Sequence, residues 1–337
     1  MSGTAVFSPW GLAVGGFLAS LAVSVLWRRF AMRRQLLDVP DLRRLHTVPT
    51  PRGGGIGIAL VMLLCAPWLG PGAGLFALGL ALTAGGGLLD DLRPLPALPK
   101  LALQCLGALP LAVAWPLLPS LLGPLVSVLA AWWLVLVLVN FWNFMDGSNG
   151  LAASQALLAG LALVLLAGPG SPAGWLALAL VAGCLGFLPH NLPQARLFLG
   201  DVGSYALGYG VAACALMAMS AGTASAWTLL LLASACLIDA GLTLLGRLRR
   251  RQKFWLPHRE HLYQRAVANG WSHAGICAAY AAWTIAAAGF ALGLAASSPV
   301  LQMLALAGFS AAGILLYLWA GRRWPLPHPA NEMESVG

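Results

Sequence analysis

The sequence predicts an all-α, polytopic membrane protein of about eleven transmembrane helices, with its N-terminus outside and its C-terminus in the cytoplasm. Three observations carry that prediction. Only 9% of residues are charged against 60% hydrophobic, whereas soluble domains carry about a quarter charged residues; mean hydropathy is +0.82. Apolar runs close to the roughly 20 residues that cross a bilayer recur along the chain. All 19 Lys and Arg then fall in segments that this helix count puts on one side, which the positive-inside rule makes cytoplasmic.

The first apolar run, Pro9 to Trp27, has no basic residue before it, and Arg28, Arg29, Arg33 and Arg34 follow it. A cleavable signal peptide has the reverse polarity, so this run is expected to be a retained span. Further spans are expected near 53–70, 72–89, 98–116, 121–140, 150–167, 173–189, 203–220, 225–246, 272–296 and 300–320. The Gly/Pro stretches at 67–72 and 168–172 read as short external turns. Residues 1–324 form one helical domain, and 325–337 a short, polar, disordered tail.

Composition narrows the function classes. The net charge of +9 is spread over loops between spans rather than over one soluble face, so nucleic acid is not a partner. It orients the chain and attracts anionic lipid and phosphate. The six cysteines lie in apolar stretches with no C-x-x-C pair, which fits packing rather than zinc or disulfides.

With ten acidic residues in the chain, each position is informative. Asp90 and Asp91 end the third span, Asp146 lies in the Asn140–Gly150 loop, and Asp201 opens the eighth span. Three loops thus bring carboxylates to one membrane face. Hard carboxylate oxygens are what Mg²⁺ requires, and Mg²⁺ accompanies diphosphates in phosphoryl transfer. Helix capping is the ordinary reading of any one of them; an Asp pair plus two more loops on one face favours the metal reading. The loop from His46 through Arg52 to Gly57 offers an arginine and bare glycine amides at a helix N-terminus, which suit phosphate. The longest cytoplasmic loop, Arg247 to Arg265, mixes arginines with Phe254, Trp255, His258 and His261. A phosphate-binding role fits the two histidines better than zinc. Asp239 stands inside the ninth span, as either a functional group or a partner for a cross-helix hydrogen bond.

Five motifs occur in order: H-x-x-P-T-P-R-G-G, the Asp-Asp helix end, N-F-x-N-F-M-D-G-x-x-G, F-L-G-D-V-G-S and H-R-x-H-x-Y-Q. Together, from His46 to Gln264, they resemble the polyprenyl-phosphate N-acetylhexosamine-1-phosphate transferases of glycosyltransferase family 4. The last motif is similar to that of the branch initiating O-antigen and related polysaccharides. The resemblance implies transfer of a sugar 1-phosphate from a UDP-N-acetylhexosamine to undecaprenyl phosphate at the cytoplasmic face of the bacterial inner membrane, with UMP released. It also implies Mg²⁺ or Mn²⁺, with Asp201 as a metal ligand. Asp90 and Asp91 would hold or deprotonate the lipid phosphate or help place the metal. Asn140, Asn143 and Asp146 would shape the nucleotide site, Lys100 would neutralise phosphate charge, and His258, Arg259 and His261 would meet the diphosphate. His46, Arg52 and Asn149 complete the expected substrate contacts. Many members carry a second aspartate where this chain has Asn149, which weakens a metal role there. The competing readings are a transporter for an anionic solute, which would gather its polar groups near the midplane, and an inactive lipid-binding relative. The oligomeric state, a homodimer among the options, stays open.

Overall fold

The computed structural model describes residues 8–40, 48–253, 256 and 258–326. His46 and residues 327–337 of the expected polar tail lie outside these. Fourteen helices follow one another among the described residues: α1 (Pro9–Arg33), α2 (Ile56–Leu64), α3 (Ala73–Leu92), α4 (Ala97–Ala114), α5 (Pro119–Leu122), α6 (Pro124–Phe144), α7 (Leu151–Ala167), α8 (Pro172–Asn191), α9 (Gly200–Ser220), α10 (Ala226–Leu232), α11 (Ser234–Arg249), α12 (Leu262–Ala268), α13 (His273–Gly293) and α14 (Pro299–Arg323). Among the described residues, strands are confined to a two-residue antiparallel pair, Leu37–Asp38 with Thr50–Pro51.

Eight of these helices are long and apolar enough to cross a membrane, or nine if α10 and α11 count as one span; Ile56–Trp68 and Leu151–Ala167 are shorter apolar helices. The chain is an all-α polytopic membrane protein. Every expected span coincides with one of these apolar segments. One feature was not legible: the ninth is bent by 74° between α10 and α11. The first helix also runs on past Trp27 to Arg33, because its arginines are good helix formers and favour the C-terminal end of a helix dipole.

Helix starts follow local chemistry. Ser8, Ser171 and Ser298 cap α1, α8 and α14, each accepting a backbone amide, and each is followed by proline at the first turn. Serine accepts an otherwise unpaired amide there, and proline loses nothing because that amide has no intrahelical partner. The centre of the bundle is α8 and α9, both largely buried, whereas α1 and α14 lie at the periphery. α9 packs on α3, α6, α7 and α8. Its sequence, rich in Gly and Ala, permits the close backbone approach that holds membrane helices together without a hydrophobic drive between them. Five of the cysteines are buried and all six are unbridged, as packing residues should be.

Candidate active site

The polar end of α3 meets the first turn of α9. Asp91 accepts hydrogen bonds from two successive backbone amides, Asp201 N to Oδ1 and Val202 N to Oδ2, both 3.1 Å. It therefore caps a helix distant in sequence, satisfying two of the four amides that a helix N-terminus leaves unpaired. Bonds to an ionised acceptor are worth about 1.5–3 kcal/mol each. The fit needs bare glycines. Gly200 has φ +75°, and a Cβ there would strike the Asp91 carboxylate; a Cβ on Gly87 would lie 2.5 Å from the Asp201 carbonyl.

Asp90 faces the other way. Its Oδ1 accepts from Leu95 N at 2.6 Å, which closes the α3–α4 turn, and its Oδ2 pairs with Lys100 of α4. The Asp90 and Asp201 carboxyl groups share one cation, since Lys100 Nζ also stands 3.7 Å from Asp201 Oδ2. Asn143, in the last turn of α6, donates to Asp201 Oδ1 and to Ser204 Oγ, both at 3.0 Å. Tyr205 donates to Asp201 Oδ2 at 3.3 Å. One turn deeper, Asn140 donates to Gln104 Oε1 at 2.9 Å. Arg52 Nε lies 4.0 Å from Asp91 Oδ1. Four segments distant in sequence thus converge on one charged cluster, open enough that Lys100 is 32% and Asp201 26% exposed.

The glycine loop differs from its expected form. Gly54 and Gly55 amides donate to the Phe198 and Leu199 carbonyls, each at 2.9 Å. They pin the loop to the start of α9 and are not free for an anion; Arg52 is the group of that loop that remains beside the cluster.

The histidine loop builds a second polar unit. Asp239 of α11 is 2% exposed and accepts from Leu262 N (2.8 Å), Tyr263 N (3.2 Å), Tyr280 Oη (2.6 Å) and Thr243 Oγ1 (3.3 Å). Of the two readings open for Asp239, the hydrogen-bonded one is what the structure displays: it caps α12. His261 Nδ1 is 3.6 Å from Asp239 Oδ1, and its ring stacks between Phe144 and Tyr263. His258 lies with its ring centroid 4.9 Å from that of His261. Burial, with His261 and Arg247 nearby, pushes the His258 imidazole down to about 3, so it is neutral at physiological pH. Glu260 is buried and pairs with both Arg247 and Arg250. Tyr263 Oη donates to the Phe144 carbonyl at 2.9 Å, which ties this unit to the helix end carrying Asn143. Asp146, half-buried, follows on the same turn, its amide donating to the Asn143 carbonyl at 3.1 Å. Asn149 donates to the Pro193 carbonyl at 3.3 Å, and Arg259 is half-buried in the loop between the histidines.

Residues 73–219 match glycosyl transferase family 4. The chain is 32% identical to the decaprenyl-phosphate N-acetylglucosaminephosphotransferase of Mycolicibacterium smegmatis, over 78% of this chain and 77% of that protein. The chain belongs to glycosyl transferase family 4. Among other relatives of this family-4 protein, the probable undecaprenyl-phosphate N-acetylglucosaminyl 1-phosphate transferase of Bacillus subtilis is 29% identical, over 76% of each chain. The phospho-N-acetylmuramoyl-pentapeptide-transferase of a Synechococcus is 36% identical over 62% of this chain and 68% of its own.

The donor set of this family-4 site can be tested against Mg²⁺. Among the described residues no group of three or more His, Cys, Asp or Glu side chains is placed to hold a metal ion. Mg²⁺ does not need one: it is commonly bound by one or two carboxylates together with water and substrate phosphates. Asp90 and Asp201, two facing carboxyl groups, fit that role. Asp91 already accepts one backbone amide at each oxygen, so its first task is to hold the turn that carries Asp201.

Gln104, Ser204 and Tyr205 belong to the cluster without having been expected there. Gln104 and Tyr205 stand four residues after Lys100 and Asp201, the helical spacing that puts side chains on one face, and that signal could have found them.

Proposed function

We propose that the chain transfers N-acetylhexosamine 1-phosphate, N-acetylglucosamine 1-phosphate foremost, from a UDP-sugar to undecaprenyl phosphate. An oxygen of the lipid phosphate bonds to the sugar-bearing phosphorus, the bond to the UMP oxygen breaks, and UMP leaves. The observation that carries this reading is the convergence of Asp90, Lys100, Asn143 and Asp201 on one polar site in a membrane chain whose relatives bear the names given above.

Each residue has a task in this reading. Lys100 and Arg52 neutralise phosphate charge, and positioning with charge is most of what phosphoryl transfer asks of a protein. Asp90 receives the lipid phosphate or its proton. Asp201, with Asp90, would hold Mg²⁺ (Mn²⁺ as a substitute), which when bound supplies charge neutralisation on the diphosphate. Asn143 and Tyr205 orient Asp201, and Asp91 fixes the helix turn that carries it. His258, Arg259 and His261 meet the donor diphosphate, His258 as a neutral hydrogen-bonding group. Asn140, Asp146 and Asn149 border the nucleotide, and His46 joins the substrate loop. With eleven crossings and the N-terminus outside, as the positive-inside pattern suggests, this site would lie at the cytoplasmic face of the bacterial inner membrane, where the product would initiate O-antigen or a related envelope polysaccharide.

Transfer of radiolabelled sugar 1-phosphate from a set of UDP-sugars to undecaprenyl phosphate, with Mg²⁺ or EDTA, tests the proposal. The expected result is metal-dependent label in the lipid phase with equimolar UMP. A folded preparation that transfers from no donor contradicts it.

A further inference from the structure

A cavity of about 380 Å³ opens between α11, α12, α13 and α14, and none of the carboxylate-cluster residues lines it. Its size falls within the range of small-ligand sites. The walls are almost wholly apolar, with Ile238, Ile276, Trp283 and Leu316 among them, and Trp319, Trp324 and Arg323 at the α14 end. One polar wall group is Asp239, but its carboxylate is saturated by two amides and two hydroxyls. It therefore presents little unmet charge to an occupant.

The cations around the cavity differ in how they are used. Arg247 and Arg250 are paired with Glu260. Arg265 donates to the Gly321 and Trp324 carbonyls that end α14. Arg322 and Arg323 are exposed and meet no acid among the described residues; Arg323 lies over the Trp319 ring, 4.6 Å from its centroid. A guanidinium without a carboxylate is a ready bidentate partner for phosphate. Tryptophans gather at the headgroup level of membranes, and basic pockets between membrane helices take anionic lipid headgroups. α14 is also the candidate span least buried in the bundle, with Leu315, Leu318 and Trp319 exposed; Trp319 lines the cavity as well, so this wall borders the surface that faces lipid.

We propose that this cavity seats an acyl chain of one anionic phospholipid whose phosphate is held by Arg323. The apolar walls disfavour a soluble polar metabolite, and the guanidinium at the mouth, which meets no acid among the described residues, selects an anionic over a zwitterionic headgroup. Because the same cavity borders Asp239 and Tyr263, a bound lipid would stiffen the footing of α12 and the histidine loop. The inference rests on the membrane character of the chain and not on the transfer reaction.

Native mass spectrometry of the full chain, titrated in detergent with phosphatidylglycerol or phosphatidylcholine of identical chains, tests it without any sugar donor. The wild type should retain one phosphatidylglycerol about tenfold or more tightly than phosphatidylcholine. Arg323→Gln should bring the two lipids to within about threefold of each other. Ala279→Trp, filling the cavity from α13, should weaken both by about tenfold at an unchanged melting temperature. Leu316→Trp fills it from α14 and replaces that test if Ala279→Trp melts early. Equal retention of both lipids by the wild type, phosphatidylglycerol binding untouched by all three variants, or one-for-one displacement of phosphatidylglycerol by polyprenyl phosphate would each overturn the proposal.

Discussion

Asp91 accepts from the first amides of α9, and Asp239 accepts from the first amides of α12. The bonding pattern is the same, yet the two units differ in what the capped helix carries. α9 is a 21-residue, almost wholly buried helix, and its first turn presents Asp201 to Asp90 and Lys100 in a partly open site. α12 has seven residues; its N-cap is His261, and around it Asp239, Glu260 and His261 are all under 5% exposed. The first unit leaves charge where a substrate can reach it. The second closes nearly every charge upon a partner and delivers a neutral His258. A buried aspartate in a membrane helix is therefore not by itself a reacting group: the backbone it caps decides its use.

Four substitutions sharpen or break this contrast. Asp201→Asn keeps a hydrogen-bonding group at the open unit but removes its charge, so transfer should fall by roughly 10²–10³, the usual cost of losing one preorganised electrostatic contact, with melting unchanged. Near wild-type turnover would remove Asp201 from the reaction.

Asp239→Ala strips the closed unit of its acceptor and leaves two amides and the Tyr280 hydroxyl unpaired. Such groups cost about 1–3 kcal/mol each when buried, so the melting temperature should drop well below that of Asp201→Asn. An unshifted melt would mean that α12 holds itself.

His258→Gln should lower transfer about tenfold, one hydrogen bond's worth. It also has a pH signature. The unfolded chain takes up a proton on His258 near 6.5, whereas the folded chain does so only near about 3. Between those values the unfolded state binds more protons, so stability falls as pH falls. Melting of the glutamine variant should decline less than that of the wild type from pH 6.5 downward, and parallel curves would refute the buried, neutral histidine.

Asn149→Asp should change least, within about threefold in transfer, because it forfeits one donor bond to Pro193 O at a partly exposed position. A large gain in metal affinity would instead assign that position to the metal site.

The contrast also explains what could be read from the chain beforehand. The apolar segments were legible because bilayer thickness sets their length; Asp90 and Asp201 stood out because carboxylates are rare in so apolar a chain, while Lys100 and Asn143 came from the resemblance to the family. Asp91 and Asp239 as caps were not: their partners lie 110 and 23 residues away, and no local pattern encodes such a pairing. The Gly54 and Gly55 amides were read as free for the same reason, since their Phe198 and Leu199 acceptors come from a distant loop. The bend between α10 and α11 carries no proline or glycine at Ala233–Ser234, so the usual sequence marks of a kink are missing.

The central claim is that two adjacent aspartates divide the work, Asp90 facing the reaction and Asp91 holding the turn that presents Asp201. Melting temperature and metal-dependent transfer, measured together on Asp90→Asn and Asp91→Asn, test it most directly. The account predicts that both lose transfer but only Asp91→Asn melts early, since its amide sets an N–H donor against a backbone amide of α9. Two variants that melt like the wild type and lose transfer equally would contradict it, and would return Asp91 to the reacting groups.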